Sequence, residues 1–100
     1  MNLERHKLDD VSVRQPDHVV HREFPSETVI LNLKTGTYHG LNPIGGRMLA
    51  ELNRSTSIGA AAAKLAADFD QSLDVVEQDL YGFCAGMVER GLLVVEPARK

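Results

Sequence analysis

The spacing of apolar positions divides the chain into two halves of different period. Residues 11–41 alternate, and residues 43–90 repeat about every 3.6 positions. In the first half, Val11–Arg14 reads as a short strand that Pro16-Asp17 breaks. Residues 18–24 (HVVHREF) are β-prone, and Pro25-Ser26-Glu27 turns the chain. Residues 28–33 (TVILNL) carry the strongest strand signal. Val29, Leu31 and Leu33 fall on one face, with Ile30 and Asn32 on the other. Lys34-Thr35-Gly36 is a hairpin loop, with Gly36 placed to take positive φ. Thr37–Leu41 is the return strand. An antiparallel meander of three strands is expected, with Val11–Arg14 a candidate fourth segment.

Asn42 is a good N-cap, and Pro43 suits the first helical position. Ile44, Met48, Leu49 and Leu52 then form a helical stripe that ends in residues 53–56. Ser57 caps a second helix, whose buried face is Ile58, Ala62, Leu65, Ala66 and Phe69. Asp70-Gln71-Ser72 is a turn. A third helix is predicted over residues 73–90, with Val76, Leu80, Phe83, Cys84, Met87 and Val88 on its apolar side. Asp74, Glu77 and Asp79 suit its positive N-terminal end, and Gly91 stops it. Residues 92–95 form a short apolar extension that packs or pairs. Residues 1–10 and 97–100 read as frayed tails, so the expected domain is residues 11–96. Strands first and helices second make an α+β fold, and the helical part resembles a winged helix.

Size and charge then narrow the function. One hundred residues hold one modest core with little room for an enclosed active site. A net charge of −3 lacks the basic footprint of phosphate binding. The third helix sets Asp74, Glu77, Asp79 and Glu89 against Arg90, which opposes a recognition-helix role on DNA. The single cysteine excludes an internal disulfide and fits a reduced, cytoplasmic setting. No apolar run approaches the ~20 residues needed to span a bilayer, and residues 1–10 lack a signal peptide's apolar segment. No membrane association is therefore expected.

A search for chemistry finds little. Cys84 lies on an apolar stripe, where a free cysteine is usually a small core residue. His6, His18, His21 and His39 form no metal-ligand spacing, and His18 and His21 sit three apart on a strand, on opposite faces. Asp68, Asp70, Asp74, Glu77 and Asp79 are explained by caps and a solvated face. Gly45-Gly46-Arg47 lacks the Lys-Ser/Thr of a phosphate-binding loop. The expectation is a chain with no catalytic residues, no metal and no cofactor.

One longer pattern remains. In order it is Leu31-Asn32-Leu33, Thr35-Gly36, Thr37-Tyr38, Leu41-Asn42, Gly45, Met48 and Leu52. Farther on come Phe69-Asp70, then Leu80, Phe83 and Val88-Glu89-Arg90-Gly91-Leu92-Leu93. This resembles the PqqD-like family over roughly residues 18–95. Asn32, where Asp is common, and the missing Trp near Leu49 depart from the family pattern. The resemblance implies a RiPP recognition element, which binds the leader of a ribosomally made precursor peptide for a maturation enzyme. That enzyme is a cysteine-protease-like leader peptidase in lasso-peptide clusters, or a radical-SAM enzyme in pyrroloquinoline quinone biosynthesis. Tyr38-His39-Gly40-Leu41-Asn42 and the segment His-Val-Val-His-Arg-Glu look closer to the lasso type.

The residues offer a physical route to such binding. Thr37–Leu41 is expected at a sheet edge, where an extended peptide can add as a strand. Thr37, Tyr38, His39, Gly40 and Leu41 are the candidate edge residues, and Asp79, Phe83, Met87 and Arg90 the candidate helical wall. Tyr38 and His39 alternate, so only one of them faces the groove. A winged-helix DNA-binding protein and a dimerisation module using the same edge are the competing readings.

Overall fold

The computed structural model describes residues 3–99. Its elements run β1 (Val11–Arg14), β2 (Val19–Glu23), β3 (Thr28–Asn32), β4 (Thr37–Leu41), α1 (Pro43–Arg54), α2 (Ile58–Phe69), α3 (Leu73–Glu89) and β5 (Val94–Pro97). Strands β2, β3 and β4 form a three-stranded antiparallel sheet in sequential order, and three helices follow it. This is the expected α+β arrangement.

Local chemistry fixes the joints. Asn32 Oδ1 accepts from the Lys34 N–H at 3.0 Å, and Gly36 takes φ 73° to close the β3–β4 hairpin. Asn42 Oδ1 caps α1 through the Gly45 N–H at 2.8 Å. Ser57 Oγ caps α2 through Ala60, and Ser72 Oγ caps α3 through Val75. Gly91, at φ 75°, lets the chain leave α3 so that Leu92 and Leu93 enter the core.

The sheet turns Thr28, Ile30 and Asn32 inward and leaves Val29 and Leu31 half-buried on the outer face. Ile30 is fully enclosed and packs in one core with Leu49, Leu52, Ile58, Leu65, Leu80, Cys84 and Met87. Arg47 and Glu51 tie α1 to α2. The nearly buried Glu51 carboxylate accepts from Arg47 at 3.0 Å, and Arg47 also pairs with Asp68. A carboxylate in that position needs its cation, because an unpaired buried charge is strongly destabilising.

The structure corrects three expectations. Val11–Arg14 is not a fourth segment of the meander; it pairs antiparallel with β5 in a separate two-stranded sheet. Residues 97–99 are not a frayed tail. Arg99 donates to the carbonyls of Val13, Leu52 and Ser55, at 2.6, 3.3 and 2.7 Å, so its guanidinium joins β1 to the end of α1. Lys100 lies outside the described residues. At the other end, residues 1 and 2 lie outside them too, but Leu8 is buried in the core and its carbonyl accepts from the Gly59 N–H at 2.8 Å. Polar composition hid this anchor, since only Leu8 and Leu3 of the segment are apolar beyond Met1.

The docking of that segment depends on Gly59. A Cβ there would lie 1.8 Å from Asp9 Oδ1 and 3.2 Å from the Asp9 Cα. Side-chain rotation relieves the first contact but not the second. Gly59→Ala is therefore expected to lower stability by about 1–2 kcal/mol despite its better helix propensity. Hydrogen exchange should show faster opening confined to residues 3–10, and chemical denaturation should give the loss in stability.

Candidate peptide groove

The three-stranded sheet has two edges, β2 and β4, and they differ. Strand β2 (VVHRE) carries His21, Arg22 and Glu23, and charged side chains protect an edge against added strands. Its Val19 N–H is already used by the Pro16 carbonyl at 2.9 Å. Strand β4 (TYHGL) holds no acidic residue, lysine or arginine.

The hydrogen-bond phase shows which β4 groups are free. Leu33 N–H donates to the His18 carbonyl and Phe24 N–H to the Glu27 carbonyl. With the register of β2 and β3, this phase directs the N–H and C=O of Val29 and Leu31 toward β2. Thr28, Ile30 and Asn32 then direct theirs toward β4, to Leu41, His39 and Thr37. Tyr38 and Gly40 are left with N–H and C=O pointing away from the sheet. The free edge therefore offers two donors and two acceptors, one residue apart.

The candidate site residues now separate. Tyr38 lies on the outer face, 74% exposed, beside Leu31 and Val20. His39 and Leu41 are half-buried on the inner face. Thr37 and Gly40 are exposed. Phe83, half-buried on α3, approaches the end of β4. Its Cε1 would lie 3.6 Å from a Cβ on Gly45, and Leu41 Cβ would lie 3.4 Å from the same point. The bare Gly45 thus leaves open a space beside the start of α1 that Leu41 of β4 and Phe83 of α3 both border. Asp79, one turn before Phe83, and Arg90 are exposed on α3. Met87 is not a wall residue: it is 2% exposed and belongs to the core. A stripe at helical spacing cannot separate Phe83 from Met87, and their depth decides it.

An apolar cavity of about 250 Å³ opens among the three helices. Leu65 and Val76 line its floor, and Ile44, Phe69, Val75 and Asp79 its rim. The sequence reading missed Val75. The available signal was an apolar residue off the buried stripe of α3, as Leu73 also is.

The chemistry elsewhere is plain. Burial pushes the Cys84 thiol up to about 12, so it carries no thiolate at neutral pH. Among the described residues, no group of three or more His, Cys, Asp or Glu side chains is placed to hold a metal ion, and no helix is long and apolar enough to cross a membrane.

Comparison with known proteins adds the following. The family model described as coenzyme PQQ synthesis protein D (PqqD) matches residues 27–93. The structure of TbiB1 in complex with the TbiA(beta) leader peptide is similar at 30% identity and a TM-score of 0.74. That likeness covers 80% of this chain and 93% of TbiB1. A lasso peptide synthetase B1 complexed with the leader peptide shares the fold at 18% identity and a TM-score of 0.75, over 83% of this chain and 98% of its own. No curated protein matches.

Cys84 gives a direct check on the interior. The native protein should resist a thiol-specific reagent at pH 8, and denaturant should expose one reactive thiol per chain. Fast labelling of the native state would contradict the burial.

Proposed function

The chain belongs to the PqqD family, and from that membership we propose that it recognises the leader region of a ribosomally synthesised precursor peptide and delivers it to a maturation enzyme. The observation that carries this reading is the unpaired, uncharged edge of β4 facing α3. An extended leader adds there as a fourth strand. Tyr38 and Gly40 supply its main-chain hydrogen bonds, each with a net worth of ~0.5–1.5 kcal/mol.

Side chains of the added strand alternate. Those level with Tyr38 stand on the outer face, and those level with His39 and Leu41 enter the groove toward Phe83. Thr37 flanks the strand at the hairpin end, and Asp79 and Arg90 meet charges on the leader. The protein binds and presents its peptide, and performs no catalysis. The relative at 30% identity was solved with a leader peptide, and both similar structures carry B1 names, which favours a lasso-type pathway. We assign recognition to the domain of residues 11–96 together with its Leu8 and Arg99 anchors, a cysteine-protease-like leader peptidase as the partner enzyme, and the cytoplasm as the setting. A radical-SAM partner is the alternative within the same family. The acidic exposed side of α3, with Asp74, Asp79 and Glu89, disfavours DNA as the ligand.

Fluorescence anisotropy with the labelled leader of the precursor encoded beside this chain tests the proposal. Saturable binding in the micromolar range is expected; its absence would sink the reading. Gly40→Pro removes an outward N–H without touching the β3–β4 ladder. It should weaken binding about tenfold or more, from the ~1–2 kcal/mol at stake, while Gly40→Ala stays near the parent. Tyr38→Ala should weaken binding about fivefold or more with the melting temperature unchanged.

A further inference from the structure

The outer face of the β2–β3–β4 sheet is a second surface, distinct from its free edge. Val20, Leu31 and Tyr38 form one cross-strand row on it, and Arg22, Val29 and Gly40 the next. Phe24, 50% exposed, extends the face at the β2–β3 turn. Leu33, 57% exposed, extends it at the opposite end, beside the β3–β4 hairpin. A shallow hollow of about 620 Å³ lies between β2 and β3, with Val20, Arg22, Phe24, Val29 and Leu31 in its lining. Contiguous exposed apolar surface of this kind marks an interaction site.

The two ends of the face are complementary to each other. Glu23 and Glu27 make the turn end acidic, and Lys34 makes the hairpin end basic. Among the described residues, none of the three forms an ion pair. The bulk is complementary too. Tyr38 stands out from one row, and the next row of the same strand has the bare Gly40. The Glu27 carboxylate borders that gap, with Oε2 3.3 Å from where a Cβ on Gly40 would lie.

We infer that this face is the contact of a homodimer, in which two copies stack outer face to outer face with their strands antiparallel. A two-fold axis across the strands sets each strand over its own copy, reversed. Tyr38 then fills the space over Gly40 of the other copy, and its hydroxyl donates to Glu27 there. Leu33 enters the hollow beside Phe24 of the other copy, and the basic end lies over the acidic end. An axis along the strands would instead set Glu27 against Glu27 and Lys34 against Lys34, a like-charge arrangement that opposes association. Three strands ~4.8 Å apart, with five residues at ~3.4 Å each, give a face of roughly 14 by 17 Å. That is small beside the ~800 Å² per partner of a standard interface, so the dissociation constant is set at roughly 10⁻⁵–10⁻⁴ M. The edge of β4 stays free in this dimer, and the inference does not rest on the leader-binding reading.

Sedimentation equilibrium of the full chain from about 5 to 500 μM tests it. The mass should rise reversibly from 11.0 kDa toward twice that value. Leu33→Glu lies at an exposed position and should keep the parent's melting temperature, yet weaken association at least tenfold. Its leader binding should stay within threefold of the parent. A parent chain that stays monomeric throughout would overturn the dimer and leave the face to a different protein. Parent-like association by Leu33→Glu would also overturn it, because the contact would then lie elsewhere.

Oxidative cross-linking tests the arrangement. The native Cys84 is buried, so a cysteine placed on the face is the accessible thiol. Phe24→Cys mixed with Leu33→Cys should give a mixed disulfide in preference to either homodimer. If Leu33→Cys joins to itself more readily, the antiparallel stacking is overturned.

Discussion

An antiparallel strand has two rows of hydrogen-bonding groups, and the middle strand of a three-stranded sheet uses both. Here β3 serves β2 through Val29 and Leu31 and serves β4 through Thr28, Ile30 and Asn32. The outer row of β4 therefore has no strand neighbour among the described residues. After β4 the chain passes straight into α1 through the Asn42 cap, and the remaining strands, β1 and β5, pair with each other instead. The two sheet edges then receive different treatment. The β2 edge is guarded by charge and partly used by the Pro16 carbonyl, while β4 is uncharged and open.

The helices begin at that open edge: α1 follows β4 directly, and Phe83 of α3 comes near its Leu41 end. Their capped starts set α1 and α3 at fixed places, and the Arg47–Glu51–Asp68 network holds α1 against the end of α2. Gly45 then leaves open a space bordered by Phe83 and Leu41. In the proposed complex, backbone pairing at β4 and side-chain contact with α3 are separate contributions. The first depends on the sheet register and the second on how deep each helical residue sits.

Much of this was legible in the sequence. Three strands, three helices, the Asn42 and Ser57 caps, the Gly36 turn and the Gly91 stop all follow from local chemistry that tertiary packing did not override. The leader-binding reading drew on the ordered pattern around Leu41-Asn42 more than on any single residue. What was not legible was long-range. Pairing of β1 with β5 joins residues eighty or more positions apart, and four-residue segments carry no mark of their partner. Nor does alternation reveal which side of β4 is bonded. That needs the hydrogen-bond phase, and it makes Tyr38 and Gly40 the free groups. Met87 and Phe83 share one apolar stripe but differ in depth, and depth depends on where α1 and β4 arrive.

The β1–β5 pair couples the two ends of the fold. Val11 lies opposite Pro97, so the strand entering the fold and the strand leaving it run side by side, about 5 Å apart at the backbone. Both are fastened by Arg99 to the end of α1, and β1 packs against α1 and α2. Loss of either terminal segment would strip the other of its strand partner, so the first and last strands are kept or lost as one unit.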